Sequence, residues 1–510
     1  MAENGNRTTE QQSPRFRLYI ALLLIAVVAV YARGLNGPFL LDDLSTIVDN
    51  ATIRSLDTAI RTFGKPEALS DGSFVRFNYR PLLPVVYAVV YAVAGYKPVA
   101  YHLLNVLLHA LNVLLISLLI RRLTASNFGA LIAAAWWGLH PVHVEAVQNA
   151  SGTDDLLLVT FAIASLLMVL NRRWVLSVVF FVLALLSKEA AIVVPGLVVL
   201  VAFWQSTEKL PRRIGLSILT GLPYLALAVV FVAVRFHFQG FGHSGSPVTS
   251  FAESLVLLPK IFLIYMRLAV APLALRINYF IPINTIISAP VVVGYLAMLA
   301  TLAAAVAYLK KAPVVSLGIL WFYVAFFPVA NIIPIRALVG ERFMYLPYVG
   351  IAILIGAALS RIPKPKPSVI AAALVILAIL ATLSVARVGV WLDEERFWKD
   401  IIAKEPGFKN YQMYETNLGL YYMKQHRYPE AEHLFKQALQ VRPDDPNMAL
   451  NLAQIFLLTK QYKPAHQLFS QLVQKYPNNT HYRYGLDYAT EQLTQPNPGE
   501  SPSTDKESVP

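Results

Sequence analysis

Two adjacent acids, Asp42 and Asp43, stand in GLNGPFLLDDLSTIVDN (34–50), directly after the first apolar run. Two carboxylates where a chain leaves a bilayer are costly unless water, a metal or a substrate proton meets them. A carboxylate beside an apolar wall can take the proton of a hydroxyl as that oxygen attacks an electrophile, so the pair is a candidate general base. The competing reading is a solvated turn in which Asp42 caps a short helix through Thr46. Neighbours in an extended loop point to opposite sides. One acid then does chemistry while the other orients it or binds a metal.

Other residue types suit the same work. Arg80, in NYRPL before an apolar stretch, is either a snorkelling anchor or a planar fork that clamps a phosphate. Glu341, Arg342 and Tyr345 lie in GERFMYLP (340–347), at the head of another span. An arginine there suits a lipid-linked phosphate leaving group, because it meets charge that grows in the transition state. His102, Asn105, His109 and Asn112 recur every three or four residues and share one helix face. They brace neighbouring helices or line a cavity. HPVHVEAV supplies His140, His143 and Glu145, with Asp154 and Asp155 close by. Those are metal-ligand types without an established metalloprotease spacing. No cofactor is certain, and a divalent metal stays open. Lys188 and Glu189 in SKE are an ion pair at a helix end or further cavity lining.

For these residues to meet, the chain must fold in a membrane. It has 510 residues, 56% hydrophobic and 14% charged, with a mean hydropathy of +0.53. Soluble proteins keep about a quarter of their residues charged. The net charge of +13 sits in short clusters between apolar runs. That is a positive-inside topology pattern, which argues against nucleic acid and for a phosphate-bearing lipid partner. With no cysteine, disulfides and thiolate chemistry are excluded. Arg15 and Arg17 precede an apolar run that reads as an uncleaved signal anchor.

Apolar runs over 18–32, 99–120, 128–139, 156–170, 174–186, 190–204, 214–234, 291–309, 314–327, 343–359 and 369–386 predict about eleven spans. Residues 82–94 add a short apolar stretch. Residues 255–275, broken by Pro259 and Pro272, read as a re-entrant or interfacial helix pair. If Arg121/Arg122, Arg172/Arg173, Lys209/Arg212/Arg213, Lys310/Lys311 and Arg361/Lys364/Lys366 are cytoplasmic, the other loops face the opposite side. Those loops hold Asp42/Asp43, HPVHVE, SKE, a Gly/Ser/His loop (236–250) and GERFMYLP.

After WLDEERFWKDIIAKEP the pattern changes. Leu418, Gly419, Tyr422, Ala431, Phe435, Ala438 and Pro443 are matched by Leu452, Ala453, Phe456, Ala465, Phe469, Leu472 and Pro477. The interval of 34 residues is that of a tetratricopeptide repeat. The expected layout is a cytoplasmic tail (1–16), a membrane domain (17–387) with its catalytic first loop at 34–81, and an extracytoplasmic repeat domain (388–492). The repeats fall at 412–445 and 446–479, with a capping helix at 480–492. Residues 493–510 are Pro/Ser-rich and predict disorder. The fold class is all-α: a polytopic helical membrane protein followed by a short α-solenoid.

In order along the chain, LLDD, YRPL, the HxxNxxLHxxN run, HPVHVEAV, GxxDLL, SKE, ERFMYLP and the terminal repeats resemble the transmembrane and tetratricopeptide-repeat family of protein O-mannosyltransferases. The resemblance runs from about residue 17 to residue 488 and implies a GT-C glycosyltransferase, a hexosyltransferase of bacterial type. It implies a polyprenyl- or dolichyl-phosphate-linked sugar donor, a protein hydroxyl as acceptor presented by the repeats, and inversion at the sugar. It makes Asp42 or Asp43 the base, Asp42 preferred, and Arg342 and Arg80 the phosphate ligands. The family's GRADLL reads GTDDLL here, with Thr153 in place of an arginine. Two alternatives are a transferase acting on a cell-surface polysaccharide or lipid, and a non-catalytic repeat scaffold. The expected location is a bacterial inner membrane with the repeats on the periplasmic side.

Overall fold

The computed structural model describes residues 14–494 except 65–78, 240–247, 249, 278, 280, 282–287, 334, 336, 363 and 405–410. Asn78, most of the Gly/Ser/His loop and the expected disordered tail from 495 on lie outside the described residues. All described elements are helical. The chain divides into two compact units, 1–393 and 394–510.

The first unit opens with α1 (Pro14–Ala32), α2 (Leu56–Arg61), α3 (Leu82–Ala94), α4 (Pro98–Thr124) and α5 (Asn127–Gly138). Short α6 (Val144–Gln148) leads to α7 (Thr153–Leu170), α8 (Trp174–Ser187), α9 (Val194–Gln205) and α10 (Leu210–Gln239). Then come α11 (Phe251–Val270), α12 (Ala289–Lys311), α13 (Pro313–Phe326), α14 (Tyr348–Leu359) and α15 (Pro367–Trp391). Six of these segments, α1, α4, α7, α10, α12 and α15 with their flanking turns, are long and apolar enough to cross a bilayer. The remaining apolar helices, such as α8 and α14, are shorter than a full crossing. This is a multi-pass helical membrane architecture. Exposed Leu, Ile and Val side chains on α10, α12 and α15 suit a lipid-facing surface.

The basic turns gather at one end. Arg121, closing α4, stacks its guanidinium 4.8 Å from the Phe16 ring at the start of α1. Gln205, closing α9, donates to the Leu170 carbonyl that closes α7 (3.1 Å). Helices of alternating direction therefore bring their other ends, and the loops with the acids, together.

The expected helix pair over 255–275 is instead one helix, α11, which absorbs Pro259 and ends before Pro272. Ser250 and Glu253 close a capping box at its start. Leu255 accepts a bond from Tyr295 in the opening turns of α12, and the Tyr265 hydroxyl meets Gly340. Both partners belong to the acid-bearing end, so α11 runs along that rim.

The second unit comprises α16 (Glu394–Lys404), α17 (Tyr411–Lys424), α18 (Tyr428–Val441), α19 (Pro446–Leu458), α20 (Tyr462–Lys475) and α21 (Thr480–Thr494). Ala431, Phe435 and Ala438 are buried, as are their counterparts Ala465, Phe469 and Leu472. A Cβ on Gly419 would lie 2.8 Å from the Phe435 ring, so glycine is what lets α17 and α18 approach. The unit begins at α16, a few residues later than the expected boundary at 388.

Candidate active site

The polar stripe of α4 organises the acid-bearing end. His102 Nε2 meets the Gly37 carbonyl of the first loop at 3.2 Å. Asn105 donates to the carbonyls of Asn149 (2.8 Å) and Val147 (3.3 Å) and accepts from the Thr153 hydroxyl at 2.6 Å. His109 Nδ1 lies 2.7 Å from the Tyr345 hydroxyl, and its Nε2 lies 2.9 Å from the Gly138 carbonyl. Asn112 donates to the Leu156 carbonyl and the Tyr345 hydroxyl and accepts from Thr160. One helix face thus holds the first loop, the turn after HPVHVEAV, the GTDDLL helix and ERFMYLP. His102 and Asn105, expected as cavity lining, are buried and brace neighbouring segments: one ring nitrogen of His102 meets loop backbone, and Asn105 meets backbone carbonyls and the Thr153 hydroxyl. The Tyr345 hydroxyl, expected at the phosphate, is held inside the bundle by His109 and Asn112 of α4.

The first loop is a helical turn, not an extended loop, and this separates the two acids. Leu41 takes φ +52°, a left-handed conformation uncommon for leucine, and reverses the chain just ahead of Asp42. Asp43 is fully buried. It accepts backbone N–H bonds from Leu40 (3.1 Å), Ala150 (3.3 Å) and Ser151 (2.6 Å), so it latches the first loop to the head of α7. Burial pushes its carboxyl up to about 7, against those three N–H donors, which favour the charged form. Asp42 is half-buried. The expected side-chain cap does not form; instead the Ser45 and Thr46 hydroxyls donate to the Asp42 carbonyl oxygen. Among the described residues its carboxylate has no hydrogen bond or ion pair.

Asp42, Asp154 and Asp155 all act electrostatically on Arg342. Arg342 in turn is held by Glu145, which accepts its backbone N–H at 3.0 Å and its Nη1 at 3.0 Å. The other phosphate candidate differs. Arg80 gives Nε and Nη2 to Glu189 (2.9 and 2.8 Å) and Nη1 to Asp154, so all three of its nitrogens already meet carboxylates. Lys188 bridges Asp155 (2.6 Å) and Asp154 (3.3 Å). Arg235, from the end of α10, lies 3.4 Å from Glu189.

Glu341 is buried and ties three segments together. Its Oε1 accepts from the Arg276 backbone N–H (2.5 Å) and the Tyr279 hydroxyl (2.8 Å). Its Oε2 lies 3.6 Å from Arg387 of α15. Burial raises its pKa, Arg387 opposes the rise and Glu145 adds to it. His140 and His143 are buried among Trp136, Trp137, Tyr345 and Tyr348. Burial lowers both imidazoles, leaving them neutral. Among the described residues no group of three or more His, Asp or Glu side chains is disposed to hold a metal ion.

Sequence reasoning missed Arg235, Arg387 and Tyr279. An arginine within a long apolar helix is itself a signal of a polar interior, and both arginines carry it. Tyr279 lies in an irregular stretch whose pattern carries no such mark.

A tetratricopeptide-repeat family model matches residues 422–486. Mouse protein O-mannosyl-transferase TMTC3 is 25% identical over 501 residues, covering 86% of this chain and 52% of that protein. Human protein O-mannosyl-transferase TMTC4 is 26% identical over 463 residues, covering 76% and 62%. Drosophila melanogaster protein O-mannosyl-transferase Tmtc1 is 35% identical over 175 residues, covering 32% and 20%. The chain thus spans between half and two thirds of the length of the first two. Over most of its own length, the chain is a homologue of the first two of these protein O-mannosyl-transferases, and its second unit carries a tetratricopeptide repeat.

Proposed function

We propose that the chain is a membrane glycosyltransferase that moves a sugar, mannose, from a polyprenyl- or dolichyl-phosphate carrier to Ser/Thr hydroxyls of extracytoplasmic proteins. The observation that carries this is the contrast around Arg342. Of the acids gathered there, Asp42, Glu145, Asp154 and Asp155, Asp42 alone has a carboxylate without a hydrogen bond or ion pair among the described residues. A half-exposed, unengaged carboxylate beside an arginine suits a site where a proton leaves one oxygen and charge grows on another.

In the step we infer, the acceptor oxygen attacks the anomeric carbon from the face opposite the carrier. Its proton passes to Asp42. The bond from anomeric carbon to phosphate oxygen breaks, the carrier phosphate gains one negative charge, and the sugar inverts. Arg342 meets that charge. Asp43 fixes the loop, and Arg80 orders the site through Glu189 and Asp154 in place of the direct phosphate contact expected of it. The repeat unit follows α15, which comes after the basic turn Arg361–Lys366, and charge topology supports the reading that it lies on the side of the acids. We assign it acceptor recruitment.

The test uses the purified chain in detergent with radiolabelled polyprenyl-phosphate-mannose. Asp42→Asn is expected to cut transfer to protein by about 10²–10⁴-fold, the range of a lost general base. Full transfer by this variant sinks the assignment. Label entering glycan or lipid instead of protein overturns the acceptor class.

A further inference from the structure

Glu145 is 1% exposed and both of its oxygens serve one residue. Oε2 takes the backbone N–H of Arg342 and Oε1 takes its Nη1. A carboxylate that grips the main chain and the guanidinium of the same arginine fixes the direction of that side chain as well as the path of the loop bearing it. The platform under Glu145 is itself held. It sits on α6, whose last turn and following residue give Asn105 their Val147 and Asn149 carbonyls. The next two residues, Ala150 and Ser151, donate to Asp43. The same backbone turn therefore connects the acid loop and the arginine. Among the described residues Nε and Nη2 of Arg342 have no hydrogen-bond or ion-pair partner, and a quarter of the side chain is exposed. A guanidinium bound on one edge and open on the other is shaped to present two donors to an oxyanion.

We propose that Glu145 is a positioning residue. It orients Arg342 so that its free edge receives the phosphate of the sugar carrier, an assignment that rests on the transfer reaction proposed above. Glu145 touches neither sugar nor acceptor in this scheme. Its removal therefore acts through Arg342 and appears in the use of the donor, not of the acceptor. Glu145→Gln keeps the size but loses the charge, and its amide nitrogen confronts one of the two donors it should accept.

The experiment is a double-mutant cycle on the full chain, with radiolabelled polyprenyl-phosphate-mannose and a fixed acceptor protein. The variants are Glu145→Gln, Arg342→Lys and the two combined. A misplaced reacting group costs about 10²-fold, so Glu145→Gln is expected to lower kcat/KM for the donor by about that much, with KM for the acceptor unmoved. Because the two residues act as one unit, the double variant is expected within about threefold of Arg342→Lys alone. Glu145→Gln at the wild-type rate, losses that multiply in full, or an acceptor KM that rises with the donor's would each overturn the proposal. If Glu145→Gln aggregates on size exclusion, Glu145→Asp takes its place. It keeps the charge on a shorter arm, and the same cycle decides. Arg342→Lys and Asp42→Asn both at the wild-type rate would sink the reaction itself, a result distinct from failure of the cycle.

Discussion

In the first unit, α4 meets its neighbours through His102, Asn105, His109 and Asn112, each hydrogen-bonded to a different loop or helix. In the second, α17 meets α18 through Gly419 against the Phe435 ring, and α20 meets α21 through Phe469 against Gly485. The two units use opposite chemistry for the same task. Between helices in a bilayer, lipid is as apolar as leucine, so burying an aliphatic face gains little and hydrogen bonds carry specificity. In water the apolar stripe carries the association, and ion pairs such as Lys475–Asp444 stay on the surface. A polar residue in a helix therefore means different things in the two halves. In the first it organises the site; in the second, pairs such as Lys475–Asp444 face solvent.

Phe435→Ala should break the second unit most severely. Emptying a fully buried aromatic site costs about 3–5 kcal/mol, read as loss of the repeat unit's melting transition. Sugar transfer to a small soluble peptide acceptor should persist. A fall in both would show that transfer depends on the folded repeat unit.

Asn105→Ala should act the other way round. It removes the bonds to Val147, Asn149 and Thr153, worth about 1–2 kcal/mol in a membrane interior. The expected result is a lower melting temperature for the first unit, lost transfer and an unchanged repeat transition. If stability falls while transfer is retained, the stripe is a packing device and does not organise the site.

A smaller effect should follow pH. The Asp43 carboxyl is raised in the folded state to about 7, above its ordinary value. A raised pKa means that the folded chain holds the proton more tightly than the unfolded chain. The stability it contributes is present below about pH 4 and lost as pH rises through about 7. The melting temperature of the first unit should fall across that window, and Asp43→Asn should flatten the fall. A curve that rises over the same range would show that the three N–H donors outweigh burial.

Smallest of all is Lys475→Ala, which breaks an exposed ion pair between the loop before α19 and the end of α20. The repeat transition should not move measurably. A clear loss would upset the view that charge in this unit is peripheral.

Much of the first unit was legible from the chain itself. The stripe from His102 to Asn112 follows from helical spacing alone. The repeat follows from a 34-residue period, and the helix-facing small residues follow from that period. Less legible were Asp43 and Arg80. Adjacent acids look alike in sequence, and nothing local says that the backbone of Ala150 and Ser151, more than a hundred residues on, will meet one of them. Likewise the fork of Arg80 reads as free until Glu189 and Asp154 are brought to it. The turn geometry at Leu41 was also out of reach, because it is a conformation leucine rarely takes.

Composition, charge placement and periodicity determined by themselves that this chain is helical and membrane-embedded, that its reactive residue types share one end, and that a repeat unit follows. Those properties are sums over many residues, each acting through hydropathy or spacing, and they survive without any knowledge of contacts. Tertiary structure decided which acid is sealed and which stays open, which arginine is engaged and which keeps a free edge. Such assignments turn on hydrogen bonds between residues far apart in sequence. A carboxylate's role is set by the donors that reach it, and those donors arrive only when the helices pack.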